Sequence, residues 1–140
     1  MKKRTLLPYI KNASENFPVV LVSGPRQVGK TTIFDLAAGR ERKKVSLDDE
    51  NAMLLATSDP VAFFEQFSPP VLIDEVQYAP QLFKQIKILS DRLKKNGLFW
   101  LTGSQVFSMM KNVSETLAGR IAILNLQGFS QFEISDNPDT

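Results

Sequence analysis

Short apolar runs alternate along this chain with longer stretches in which apolar residues recur at helical spacing. The runs fall at 18–23, 43–47, 70–74, 98–102 and 121–126, and each has the length and make-up of a strand. The stretches between them have helix signals. Residues 2 to 16 read as a polar, partly basic helical lead-in. Thr31 to Ala38 reads as a helix stopping near Gly39, a C-terminal capping glycine. Asn51 to Ala56 continues a helix headed by Asp48-Asp49-Glu50. Asp59-Pro60 pairs an N-cap with a proline at the first helical position, opening a short helix through the core aromatics Phe63, Phe64 and Phe67. Pro80 opens a long helix with Leu82, Phe83, Ile86, Leu89 and Leu93 on one stripe. Lys84, Lys87, Lys94 and Lys95 lie mainly off it, and Gly97 closes it. A last helix runs through Val106, Met110, Val113 and Leu117 to Gly119-Arg120. Strands in alternation with helices predict an α/β fold with a parallel sheet and right-handed crossovers.

Composition narrows this picture by exclusion. With 140 residues the chain is expected to form one domain. A net charge of +2 is too small to argue for nucleic acid, and the lysines of the long helix read first as a solvated face. There is no cysteine and no histidine, which removes disulfides, thiolate metal sites and Ser-His-Asp or Cys-His catalysis. Any chemistry runs on carboxylates, hydroxyls, Lys, Arg and bound metal. Met1-Lys2-Lys3-Arg4 resembles the start of a signal peptide, but only Leu6-Leu7 follows before Pro8. No apolar run approaches the ~20 residues of a membrane span, so the expectation is a cytoplasmic protein without a membrane partner.

The candidate chemistry begins where the first strand ends. Gly24-Pro25-Arg26-Gln27-Val28-Gly29-Lys30-Thr31 fits G-x-x-x-x-G-K-[ST], the phosphate-binding loop of nucleoside triphosphatases. Gly24 and Gly29 let backbone N–H groups turn inward around phosphates, Lys30 reaches the β- and γ-phosphates, and the Thr31 hydroxyl ligates Mg²⁺. The strand before and the helix after, beginning Thr31-Thr32, put the phosphates on a helix N-terminus. A second signal is Val71-Leu72-Ile73-Asp74-Glu75, an apolar strand ending in two acids about forty residues after the loop. Asp74 is placed to hold Mg²⁺ and Glu75 to polarise the water attacking the γ-phosphate; the alternative is a pair of turn-capping acids. Asp48-Asp49-Glu50 either bind metal or cap a helix. Thr102-Gly103-Ser104-Gln105 either feel the γ-phosphate and orient water or cap the next helix.

Together with Leu72-Ile73-Asp74-Glu75-Val76-Gln77, Leu101-Thr102-Gly103-Ser104 and Leu117-Ala118-Gly119-Arg120, the loop resembles the ATPase domain of a prokaryotic AAA-type group; Ser46-Leu47-Asp48-Asp49 and Asp59-Pro60 fit it as well. The resemblance implies a three-layer P-loop core with five parallel strands in the additional-strand order 5-1-4-3-2, and ATP with Mg²⁺. It implies a sensor role for the strand ending near Ser104. Arg120 becomes a candidate arginine finger reaching a neighbouring subunit, and so a homo-oligomer contact; its alternative is an ion pair with a nearby carboxylate. On this reading 1–16 is a lead-in, 17–127 the ATPase core, and 128–140 a tail or the start of a C-terminal region. Members of the group continue into a region described as nuclease-like, and neither it nor a helical lid is in this sequence. A Mg²⁺-dependent ATPase switch or motor core is therefore expected, with a non-hydrolysing regulatory module and a DNA-coupled ATPase as alternatives. No Asn-Lys-x-Asp motif suggests a GTPase, and the Asp-Glu pair suits water activation better than a kinase.

Overall fold

The computed structural model describes residues 2–24, 42–103 and 107–125. The loop residues 25–32, the helix expected after them, Ser104 and the 128–140 stretch lie outside the described residues. Among the described residues the elements run α1 (Lys2–Asn16), β1 (Val19–Ser23), β2 (Lys43–Ser46), α2 (Glu50–Ser58), α3 (Pro60–Gln66) and β3 (Val71–Asp74), then a 3₁₀ turn (Val76–Tyr78), α4 (Gln81–Leu93), β4 (Phe99–Gly103), α5 (Phe107–Thr116) and β5 (Ile121–Asn125). The strands pair in parallel in the order β2-β3-β4-β1-β5, which is the expected 5-1-4-3-2 read from the other edge.

Side chains alternate across the sheet with period two, and each face has its own core. On one face Val19, Leu21, Val71, Ile73, Phe99 and Leu101 meet Ala52 and Ala56 of α2, Phe63 and Phe64 of α3, Phe83 and Ile86 of α4, and Val113 of α5. On the other, Val20, Val22, Leu72 and Trp100 meet Ile10 and Ala13 of α1. Burial on both faces explains why β1, β3 and β4 read as unbroken apolar runs. β2 is an edge strand, and its lysines 43 and 44 are exposed.

The helix starts follow the capping chemistry. Asp49 Oδ2 accepts from the Ala52 N–H at 2.9 Å, and Asp59 Oδ1 accepts from the Ala62 N–H at 3.1 Å, with Pro60 leading α3. One expected helix end is corrected. α4 stops at Leu93, where Lys94 itself takes a left-handed conformation (φ 53°), and Leu93 is 40% exposed. Gly97 (φ 73°) serves the approach to β4 instead: a Cβ there would stand 2.6 Å from Ser14 Oγ and 3.0 Å from Ser14 O.

That close approach is part of how α1 docks. The Gly97 N–H donates to Phe17 O at 2.9 Å, the Asn96 amide to Glu15 O at 2.8 Å, and Trp100 Nε1 to Ser14 Oγ at 3.0 Å. Arg42 lies with its guanidinium 3.8 Å from the Trp100 ring centre and donates to Gly97 O at 2.8 Å. Burial lowers its pKa to about 10, which leaves it charged at neutral pH. Among the described residues, no helix is long and apolar enough to cross a membrane.

Candidate functional site

Polar residues gather where the apolar strands run out, at the carboxyl ends of β2, β3 and β4. Asp74 closes β3 in register with Ser46 of β2. Its two carboxylate oxygens take hydroxyl donors from the strands on either side: Ser46 Oγ donates to Oδ2 at 3.2 Å, and Thr102 Oγ1 of β4 donates a short bond to Oδ1. Both oxygens are thereby fixed by neighbouring strands, while the residue stays only half-buried. Thr102 has a second task. Its oxygen accepts the Glu75 N–H at 3.0 Å, so one hydroxyl ties together both residues of the acidic pair.

Strand alternation alone would send the side chains of Asp74 and Glu75 to opposite faces. Glu75 instead takes a left-handed conformation (φ 61°, ψ 48°), at a cost of roughly 1–2 kcal/mol for a residue with a Cβ. The kink is held by the Thr102 bond and by the Tyr78 N–H donating to Glu75 O at 3.2 Å. The residue is 5% exposed, and its carboxylate accepts from Gln77 Nε2 at 2.7 Å. As a result, carboxylate oxygens of Asp48, Asp74 and Glu75 lie within 4.8 Å of one another. At an effective dielectric near 20, two ionised groups at such a separation repel by about 3 kcal/mol. A hard divalent cation with oxygen preference held by Asp74 would relieve this, so the carboxylates present fit Mg²⁺ nearby.

The end of β1 approaches the same edge of the sheet. The Gly24 N–H donates to Gly103 O at 3.1 Å, and Gly24 has φ 151°, a value that side-chain-bearing residues rarely adopt. β4 lies between β1 and β3, so the start of the phosphate motif and the acidic pair are two strand spacings, about 10 Å, apart. Ser23, the last residue of β1, is fully buried, and its hydroxyl has no partner among the described residues. Of the sequence-derived site residues, Gly24, Asp74 and Glu75 are brought to this edge. Pro25, Arg26, Gln27, Val28, Gly29, Lys30, Thr31, Thr32 and Ser104 lie outside the described residues.

Arg120 stands elsewhere. It precedes β5, and its carbonyl accepts the Val19 N–H at the start of β1, the opposite edge of the sheet from Asp74. Its guanidinium grips Asp91 at the end of α4, Nε to Oδ1 at 2.7 Å and Nη2 to Oδ2 at 3.0 Å, while Nη1 donates to Ala118 O at 3.0 Å. The pairing raises the Arg120 pKa and lowers that of Asp91.

Sequence reasoning missed Ser46 and Gln77, and gave the three acids at 48–50 a single choice between capping and metal. They divide the work: Asp49 caps α2, and Asp48 joins the acidic cluster. Ser46 had a signal in its place at the end of a strand; Gln77 had one in following the two acids closely.

A parallel sheet of this order, with a G-x-x-x-x-G-K-T motif at the end of β1 and an Asp-Glu pair at the end of β3, defines a P-loop nucleoside triphosphatase core. A family model described as "AAA domain" matches residues 16–135, and the chain belongs to that family of AAA-type ATPase domains. Two relatives are the uncharacterized protein Rv2008c of Mycobacterium tuberculosis and the uncharacterized protein Mb2031c of Mycobacterium bovis, each 31% identical over 138 residues. The match takes in 98% of this chain and 31% of each relative, so the chain spans about a third of their length. A RuvB variant of Thermotoga maritima is similar at a TM-score of 0.49 and 24% identity, over 89% of this chain and 42% of that one.

Proposed function

We propose that this domain hydrolyses ATP with Mg²⁺ and uses the cycle as a switch or motor core in the cytoplasm. The observation that supports it best is the kinked Asp74-Glu75 pair, clamped by Thr102 beside the end of the phosphate-motif strand. In this reading the backbone of 24–29 and Lys30 hold the phosphates, and Thr31 and Asp74 are the metal ligands. Mg²⁺, when bound, neutralises charge developing on the phosphate oxygens. Glu75 accepts a proton from the attacking water, and Ser104 helps to orient that water. The reason to assign these roles differently is chemical: Asp74 has both oxygens fixed by neighbouring strands, as a ligand requires, whereas Glu75 lies in the more buried position suited to a base.

Arg120 serves in this reading as a finger for a neighbouring subunit's nucleotide, which requires a homo-oligomer. Its distance from the acidic edge of its own sheet supports action in trans over action in cis, and the Asp91 pair would then be exchanged on assembly. A non-hydrolysing regulatory module, which would bind ATP through the same phosphate motif, is the second reading. Coupling to DNA rests only on scattered Lys and Arg, and stimulation of turnover by DNA with steep salt dependence would be its sign. The test is release of phosphate from ATP by the purified chain, expected with Mg²⁺ and lost on chelation. ATP binding without phosphate release would select the regulatory module.

A further inference from the structure

The hydrolytic reading gives Glu75 a task that depends on where its carboxylate points, and among the described residues Gln77 holds it. We infer that Gln77 is a positioning residue for Glu75, fixing the carboxylate that receives the proton of the attacking water; this rests on the hydrolytic reading above. The Gln77 side-chain amide donates to Glu75 Oε1 at 2.7 Å across a separation of two residues. An ionised carboxylate only accepts hydrogen bonds, so the amide must present its NH₂ group to it.

The amide itself stands on a rigid base. Gln77 is the middle residue of the 3₁₀ turn, whose neighbours Val76 and Ala79 are fully buried in the main core. The Ala79 N–H donates to Val76 O at 3.0 Å, and the Tyr78 N–H closes back on Glu75 O. The turn thus carries Gln77 on one side of the carboxylate, and the Thr102–Glu75 backbone bond fixes the other end of the residue. Thr102 sets where the Glu75 backbone stands, and Gln77 sets where its carboxylate stands. The second contact also offers a donor to a carboxylate crowded by Asp48 and Asp74. A base works only when it lies within hydrogen-bond reach of the proton it takes, so loosening it lowers turnover without weakening nucleotide binding.

Two substitutions of similar length separate positioning from packing. Gln77→Met removes the donor and keeps the bulk; Gln77→Glu replaces the donor by a like charge. Both are expected to lower kcat at least tenfold while nucleotide affinity and KM stay within about twofold, with Gln77→Glu the more severe. An unchanged or increased kcat in the folded variants would overturn the inference. A second readout does not need turnover. In a double-mutant cycle on the unfolding midpoint, Gln77→Glu should destabilise the wild-type chain more than the Glu75→Gln chain, because only the former opposes two carboxylates. Additive effects would overturn the contact. Absence of phosphate release by the wild type would instead remove the hydrolytic reading, leaving the cycle to decide on the contact.

Discussion

Asp74 was legible as a strand-end acid, but the two hydroxyls that hold it were not assigned that task, because they come from strands 28 residues away on either side. Pairing across a sheet brings together positions that no local pattern connects, so Ser46 read as ordinary strand and Thr102 only as a sensor or cap. The left-handed Glu75 was equally hidden, since the conformation is imposed by its partners and not by its residue type. Thr102 is where these partners meet, which makes it the residue to test. Thr102→Val keeps the shape but leaves the buried Glu75 N–H without its acceptor, an expected loss of about 1–3 kcal/mol in denaturant unfolding. Thr102→Ser, which keeps the oxygen, should recover most of it. Equal stability of the valine variant would show that the hydroxyl does not organise the pair.

At the level of elements, apolar periodicity and caps were enough to locate all five described strands and the starts of α2 and α3, because those signals are local and physically direct. The end of α4 was misjudged for the opposite reason. Gly97 looked like a helix stop, yet its glycine is required by Ser14, more than eighty residues earlier in the chain, pressing against it. The same docking draws in Arg42 and seats it on Trp100. Gly97→Ala therefore meets both a strained φ and the backbone of α1. An expected cost of about 1–3 kcal/mol in unfolding, with faster amide exchange in α1 than in β4, would mark the helix as what is pushed away. Unchanged exchange across α1 would mean that the contact is not what seats it.

On the scale of the whole molecule, strand order separates two groups of functional candidates. The acidic cluster and the end of β1 share the carboxyl edge of the sheet, while Arg120 sits at the amino edge bound to Asp91. Sequence order placed Arg120 next to a strand, and only the parallel arrangement reveals which end of the sheet that is. If Arg120 acts between subunits, turnover per subunit should rise with protein concentration, and Arg120→Ala should abolish that rise while retaining nucleotide binding. Concentration-independent turnover would confine the chemistry to single subunits. The central claim, that Glu75 activates water at a Mg²⁺–ATP site, is tested most directly by phosphate release from the wild type and Glu75→Gln chains, assayed beside their ATP affinity. The account predicts release by the wild type, and in the variant retained affinity with turnover reduced at least a hundredfold. Turnover unchanged in Glu75→Gln would contradict it.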